Sequence, residues 1–117
     1  MLINQKNKTM PNDHIVIVYR REFIEIAFES IEYISTDDYL TTFFYVNGNK
    51  FTCTKPLNKI IPKLNADFYQ INRSQVVNLN KVTSVADNRE LELEGDVKLT
   101  VACRRIKELK RRIKNSA

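Results

Sequence analysis

The sequence of 117 residues is poor in the residue types on which catalytic and metal sites depend. It has one histidine, His14, and two cysteines, Cys53 and Cys103, which lie far apart and form no CxxC pair. Such a set does not make a zinc site, and reduced thiols are the usual state of cysteines in the cytosol. With only two glycines, the chain has no glycine-rich phosphate loop. The sequence therefore predicts no metal, no cofactor and no enzyme.

Three remaining candidates for chemistry have better structural explanations. Asp37 and Asp38 are adjacent, so they point to opposite faces of a strand or cap a turn. Cys53 alternates with Phe51 in a predicted strand, which indicates a small core residue. Cys103 lies where a strand passes into a helix, and we expect it to be buried as well.

Long apolar runs are also absent. No stretch of about eighteen apolar residues exists, so the sequence predicts no transmembrane helix and no membrane insertion. Residues 1–14 are polar and aperiodic, and they lack the apolar centre of a secretory signal. We expect them to form a disordered leader or the remnant of a linker, and residues 15–117 to form one domain in the cytoplasm.

Positive charge is present but concentrated at one end of the chain. Residues 104–114 hold seven basic residues and one acid and so carry +6, whereas the whole chain carries +5. A concentrated positive charge indicates a polyanionic partner. The solvated face of a terminal helix would explain the same residues, and composition alone does not choose between the two.

Short β-branched and alternating segments separated by turn signals predict a mainly β domain. Asn47-Gly48 predicts a hairpin with a type I′ turn, in which both central residues need positive φ. Apolar residues at helical spacing predict a short helix over 55–64, which Pro62 should kink or end, and a C-terminal helix over 104–114. The pattern predicts about eight strands, arranged either as stacked small sheets or as a small barrel.

Residues 68–85 surround a polar group, Asn72-Arg73-Ser74, with apolar side chains. This mixture predicts a strand, a tight turn, a short helical turn and a second strand, with Asn72 and Arg73 facing outward. Ser74 is predicted to cap the helical turn. Asn78 is predicted to hold the backbone of that turn through side-chain hydrogen bonds.

Eight positions of this segment follow one spaced pattern: Phe68, Ile71, Arg73, Ser74, Val77, Asn78, Lys81 and Val82. The pattern resembles the signature of the LytTR domain, the DNA-binding output module of LytR/AlgR-type bacterial response regulators. The likeness extends over about residues 15–113, and Asn72 stands where that family more often has histidine. It implies a mainly β fold, an elongated stack of small antiparallel sheets with one short internal helix and a C-terminal helix.

The resemblance implies that loops, rather than a recognition helix, enter the DNA grooves. The first implied region is the turn at residues 37–39. Its two acids would repel phosphate, so Tyr39, Thr41 or Thr42 is the expected contact. The second is Asn72-Arg73, two side-chain types that read adenine and guanine in the major groove. In the alternative, Arg73 pairs with an acid and Asn72 caps a turn.

The third implied region ends the last strand, where the family usually carries Ser-Arg. This chain has residues 102–105, Ala-Cys-Arg-Arg, at that place, so Arg104 or Arg105 is expected to replace the family arginine. Lys81 and Lys107 are candidates for phosphate contacts, which position a protein on DNA without reading its sequence.

Together these features predict that the domain binds double-stranded DNA sequence-specifically in bacterial transcription regulation, with loop residues in the major groove. The resemblance implies a homodimer on repeated sites, and either a domain that stands alone or one that follows a receiver domain controlled by a sensor kinase. Two alternatives stay open. One is a β-rich protein-interaction module whose basic tail meets an acidic partner or a membrane surface, and the other is a small barrel that binds RNA or single strands.

Overall fold

The structure is a computed structural model and describes residues 13–116. Within them, short segments rich in β-branched and aromatic residues, several of them alternating with polar residues, are separated by turn residues and form the strands. The helices are α1 (Leu57–Ile60) and α2 (Ile106–Ser116). The ten strands are β1 (His14–Tyr19), β2 (Glu22–Ala27), β3 (Ile31–Asp37), β4 (Leu40–Tyr45), β5 (Lys50–Cys53), β6 (Phe68–Asn72), β7 (Gln75–Asn78), β8 (Val82–Val85), β9 (Glu90–Leu93) and β10 (Val97–Thr100).

The largest sheet has five antiparallel strands in the order β5-β4-β3-β7-β6. Its central strand, β3, pairs Ile34 with Phe43 of β4 and with Val76 of β7. All three residues are buried because they share the inner face of the sheet. On the opposite face, the rings of Tyr33 and Phe44 stack with their centroids 4.4 Å apart.

The hairpin of β1 and β2 forms a separate two-stranded sheet that covers the inner face of the large sheet. Its inward residues Ile15, Ile17 and Ile26 are buried in a core shared with Phe43 and with Ile60 of α1. This burial of aliphatic and aromatic side chains is the main stabilising contribution on this side of the molecule.

The third sheet, with strand order β10-β9-β8, packs with α2 around a second core. Leu91 and Leu93 alternate with glutamates along β9 and are buried against Val101 and Leu109. Two cores on either side of the β3–β7 region make the molecule long, with extents of 49 × 32 × 24 Å. The predicted elongated stack of small antiparallel sheets with two helices is confirmed, and the described strands form open sheets rather than a barrel.

The two turn predictions for this framework have different outcomes. The helix predicted over 55–64 is broken as expected: α1 ends at Ile60, and a 3₁₀ turn that contains Pro62 follows. Asn47-Gly48 does join β4 to β5 in a hairpin. Only Gly48 has a positive φ, at 92°, so the predicted type I′ turn is wrong.

Residues 68–85 contain the predicted elements in a different order. The tight turn leads directly into β7, and the helical turn, a 3₁₀ turn at Leu79–Lys81, follows that strand. Ser74 therefore does not cap a helical turn, and that prediction is wrong. Asn78 does hold the backbone of the 3₁₀ turn, because its Oδ1 accepts a hydrogen bond from the Asn80 N–H at 3.0 Å.

The cysteine and leader predictions are partly corrected. Cys53 is buried in the core as predicted, whereas Cys103 is exposed because it begins a surface 3₁₀ turn. His14, assigned to the leader, is the first residue of β1, and its Nε2 lies 2.8 Å from Oε2 of Glu25. Residues 1–12 of the predicted leader lie outside the described residues. Within the described part of the chain, no helix has the length and apolar content that crossing a membrane requires.

Candidate nucleic-acid interface

Three connecting segments meet at one end of the five-stranded sheet. Strand β3 ends at Asp37 beside the start of β4. Strand β7 runs antiparallel to β3 and begins at Gln75, opposite Ser35, so the turn between β6 and β7 lies at the same end. The third segment, residues 100–105, passes from β10 into α2. We call this end of the sheet, with its three segments, the turn face.

Hydrogen bonds between the three segments fix the turn face as one unit. The Thr36 N–H donates to the Ser74 carbonyl at 2.9 Å, which joins the first segment to the second. The Ala102 N–H donates to the Ile71 carbonyl at 2.8 Å, which joins the third segment to the strand before the second. Backbone hydrogen bonds of this kind hold the three segments in fixed positions relative to one another.

Asn72 supplies the side chain at the centre of this arrangement. Its Nδ2 donates to Gln75 Oε1 and to the Thr100 carbonyl, both at 2.9 Å. Its Oδ1 accepts from the Ser74 N–H at 2.9 Å and from the Ser74 hydroxyl at 3.3 Å. Both amide hydrogens and the oxygen are therefore used within the protein. In this structure Asn72 closes the turn and ties it to the end of β10, as in the alternative in which it caps a turn, and its contact with a base stays a prediction.

Arg73 lies at the tip of the same turn and is exposed. The described part of the chain offers its guanidinium no hydrogen bond and no ion pair; the two ion pairs found there join His14 to Glu25 and Glu108 to Arg111. The alternative in which Arg73 pairs with an internal acid therefore does not hold in this structure. Its five N–H donors are available to an external acceptor.

Arg104 and Arg105 differ in their surroundings. Arg105 is half-buried, and its NH1 donates to the Gln70 carbonyl at 3.3 Å. Its own carbonyl accepts from the Tyr69 hydroxyl at 3.0 Å. Arg104 is exposed, and the described contacts include no partner for its side chain. Arg105 thus anchors the third segment to β6, and Arg104 is the arginine that the turn face presents.

The first segment presents an aromatic side chain. Tyr39 is 73% exposed and follows Asp38, which adopts the left-handed conformation at φ 59°. Thr41 is fully buried, and its hydroxyl donates to the carbonyl of Lys55. The prediction that Thr41 contacts DNA is therefore wrong. Leu40, which the sequence analysis overlooked, is 48% exposed beside Tyr39.

The two lysines predicted to contact phosphate lie in different places. Lys107 is exposed in the first turn of α2, next to the third segment of the turn face. Lys81 lies after the far end of β7, close enough to the nearly buried Glu32 to affect its charge. Burial raises the pKa of the Glu32 carboxyl, Glu94 raises it further and Lys81 lowers it. Lys81 therefore lies near the buried Glu32 and away from the turn face, and its contact with phosphate stays a prediction.

Some of the remaining basic residues of α2 bind other groups of the protein, and the others face solvent. Arg112 donates to the Ala66 carbonyl at 2.6 Å and lies over the ring of Tyr69, whereas Arg111 forms a fork with Glu108. The hydrogen bond from Arg111 lowers the pKa of Glu108. Lys110 and Lys114 are exposed. The positive charge that the C-terminal segment presents to solvent therefore comes mainly from its lysines and from Arg104.

The turn face has the properties of a nucleic-acid-binding surface that uses loops rather than a recognition helix. Available guanidinium groups stand on hydrogen-bonded turns, and lysines flank them. Among residues 13–116, no group of three or more side chains is arranged to hold a metal ion. Exposed arginines on hydrogen-bonded turns with lysines beside them are features expected of a β domain that binds nucleic acid.

Comparison with known proteins agrees with this class. The family model of the LytTr DNA-binding domain matches residues 21–114, so the chain belongs to that family. Members of the family are DNA-binding domains of transcription regulation. A search of curated proteins gives no match.

One similar solved structure is the LytTr DNA-binding domain of a protein described as a methyl-accepting/DNA response regulator from Bacillus cereus. The two chains are 16% identical, and the match has a TM-score of 0.70. It covers 86% of this chain and 96% of the other. At this identity the likeness establishes the fold, which is the one described above.

Proposed function

We propose that this domain binds double-stranded DNA sequence-specifically, with Arg73 and Arg104 reading bases from the turn face. The observation that carries the proposal is that both arginines are exposed and unpaired in the described contacts. The chain segments that carry them are joined by hydrogen bonds from the Ala102 N–H to the Ile71 carbonyl and from the Asn72 side chain to the Thr100 carbonyl. Arginine donates two parallel hydrogen bonds to O6 and N7 of guanine, which discriminates against other bases. Because the backbone that carries these arginines is held rigidly, less conformational entropy is lost when such a contact forms.

The other side chains of the turn face have supporting roles in this proposal. Tyr39 and Lys107 contact phosphate or sugar and set the register of the domain on the duplex. Leu40 lies beside Tyr39 and suits an apolar contact, such as the methyl group of thymine in the major groove. Asn72 and Arg105 hold the two reading arginines in place without touching the bases themselves.

The proposed binding has a defined dependence on salt. Exposed cations of the turn face and along α2 (Arg73, Arg104, Lys107, Lys110 and Lys114) suggest about five neutralised phosphates. The logarithm of the binding constant should then fall with log salt at a slope of roughly −4 to −5. Between about 50 and 200 mM salt, the affinity for a duplex should drop roughly 250- to 1,000-fold, which fluorescence anisotropy of a labelled duplex measures.

A slope shallower than about −2 would contradict this proposal and favour a protein-interaction module. RNA and single-stranded DNA of the same sequence serve as competitors in the same titration. Tighter binding to either would favour the small RNA- or single-strand-binding domain, whose stacking surface needs exposed aromatic rings. Tyr33, Phe43 and Phe44 instead pack within the sheet of this protein, and Tyr39 is the exposed aromatic side chain that the turn face presents.

We place this activity in bacterial transcription regulation in the cytoplasm, where the chromosomal duplex lies. The Bacillus cereus structure comes from a protein described as a response regulator. By analogy with it, we propose that this domain is the output of a signalling pathway in which a sensor kinase and a receiver domain control DNA binding. Selection of bound duplexes from a random pool would supply the site: a recurring short motif is expected, and a pool without enrichment would overturn sequence-specific binding.

A further inference from the structure

Glu32 is a buried acid that the proposed DNA contacts do not use. Its side chain belongs to a residue that is only 7% exposed, and it takes part in none of the hydrogen bonds or ion pairs within residues 13–116. A carboxylate at such a depth has lost most of its water without gaining a donor from the protein, which is costly. The fold therefore accommodates the neutral form of Glu32 better than the charged form.

Glu32 lies where the large sheet meets the third sheet. The pairing of β3 with β4 shifts its register between Ile31 and Tyr33, and Glu32 occupies this irregularity. Ile31 packs into the first core, whereas Tyr33 packs against the second core. The Glu32 carboxyl lies beside the turn between β9 and β10, because a Cβ placed on Gly95 would be 3.6 Å from its Oε2. A side chain of β3 therefore reaches one end of the third sheet.

Charged groups of two neighbouring elements act on Glu32. Glu94 follows β9 in the β9–β10 turn, and Lys81 ends the 3₁₀ turn after β7; Asp96, the second acid of the β9–β10 turn, is exposed. Burial raises the pKa of the Glu32 carboxyl, Glu94 raises it further and Lys81 lowers it. On the same strand, burial raises the pKa of the Tyr33 hydroxyl, and the charge of Glu32 raises it further. One lysine thus opposes both burial and a second carboxylate, and the protonated form of Glu32 is favoured.

The third sheet connects the surroundings of Glu32 to the turn face. Near Glu32, the Glu94 N–H donates to the Lys81 carbonyl at 3.0 Å. From the β9–β10 turn, the four residues of β10 extend over about 14 Å. The last of them is Thr100, whose carbonyl accepts the hydrogen bond from the Asn72 side chain. A displacement of the β9–β10 turn away from Glu32 would therefore move the strand that leads into the third segment of the turn face.

We propose that Glu32 makes the position of the third sheet, and with it the affinity for DNA, depend on pH. With the carboxyl protonated, the β9–β10 turn packs against β3. When the carboxyl gives its proton to water, hydration of the charge and repulsion from Glu94 favour a state in which the turn has moved away. Residues 100–105 then lose their fixed position, and Arg104 binds a duplex less tightly. The effect on DNA affinity rests on the proposed function.

Urea unfolding at a series of pH values tests the proposal without DNA. The folded chain holds the Glu32 proton more tightly than the unfolded chain, so its contribution to stability is present at low pH and is lost as the pH rises through the raised pKa. Between about pH 5 and pH 8, the urea midpoint of the wild-type protein should fall relative to that of Glu32→Gln. Glu29→Gln removes the same charge from an exposed residue just before β3 and should follow the wild type. Parallel curves for the wild type and Glu32→Gln would overturn the proposal.

Nuclear magnetic resonance of the free protein tests the connection to the turn face. The ¹³C signal of the Glu32 carboxyl reports its loss of a proton, and the amide signals of residues 95 and 100–105 should shift with the same midpoint. Glu94→Gln should move that midpoint to lower pH and Lys81→Met should move it to higher pH, since each removes a charge that acts on Glu32. A titration of Glu32 that leaves residues 100–105 unchanged would overturn the proposal.

Duplex binding at one fixed salt concentration completes the test. Over the same pH range, wild-type protein should lose at least about fivefold more affinity for the selected duplex than Glu32→Gln. Equal losses for the two proteins would contradict the proposed effect on DNA affinity. Absence of duplex binding at every pH would instead reject the proposed DNA-binding function, and the unfolding and resonance experiments would still decide whether Glu32 controls the third sheet. The two failures are therefore distinguishable.

Discussion

Replacing Arg104 with alanine is expected to weaken binding to the selected duplex by about 1–3 kcal/mol, a loss of roughly 5- to 150-fold. The guanidinium is exposed and unpaired in the described contacts, so the substitution removes no interaction that stabilises the fold. Binding to random DNA should fall much less, since only the contribution of one charge is lost there. Fluorescence anisotropy at one fixed salt concentration gives both affinities.

Lys107→Ala provides the matched control for this prediction. It also removes one exposed cation beside the turn face, but it should weaken selected and random duplexes by similar factors. Arg73→Ala should behave like Arg104→Ala and lower discrimination at a different base pair. Equal losses on selected and random DNA for both arginine variants would show that they contact phosphate only, and base reading would have to be reassigned.

Asn78→Ala is expected to lower the free energy of unfolding by about 2–4 kcal/mol. The side chain is 1% exposed, and its Nδ2 donates to the carbonyls of Phe28 at 3.3 Å and Ile31 at 2.9 Å. Its Oδ1 caps the 3₁₀ turn through the Asn80 N–H. Alanine would leave all three backbone groups without these partners inside the protein. Urea unfolding monitored by circular dichroism measures the change.

Asn80→Ala is the control for that measurement. This asparagine lies in the same 3₁₀ turn but is exposed, and only its backbone takes part in the recorded hydrogen bond. Its replacement should change stability by less than about 0.5 kcal/mol. A loss below about 1 kcal/mol for Asn78→Ala would mean that water or a shift of the turn satisfies the three backbone groups, and the structural role assigned to Asn78 would be wrong.

Much of the framework is predictable because its signals are local. Alternation of side chains identified most strands, Asn47-Gly48 located a hairpin, and Pro62 marked the break after α1. The alternation of side chains along β4 also indicates that Thr41 is buried. That residue is two positions before Phe43 in β4 and therefore shares its buried face, while Leu40 and Thr42 point the other way. Strand parity, applied one step further, would have excluded Thr41 as a DNA contact.

The details of the turn face depend on contacts between distant parts of the chain. The local sequence does not show which of the neighbouring residues Arg104 and Arg105 is exposed. They differ in the structure because the Gln70 carbonyl and the Tyr69 hydroxyl bind Arg105 and its backbone. Asn72 likewise donates a hydrogen bond to the Thr100 carbonyl, which lies close because the sheets that contain β6 and β10 pack together. No local pattern contains that information, so side-chain type alone suggested a base contact for Asn72.

The central claim is that the three segments of the turn face contact the duplex together. Nuclear magnetic resonance of ¹⁵N-labelled protein, titrated with a single-site duplex, tests it directly. The largest amide shift changes are expected in residues 37–40, 72–75 and 100–107, with the β1–β2 hairpin, residues 14–27, unaffected. Changes confined to α2, or centred on the hairpin, would contradict the account.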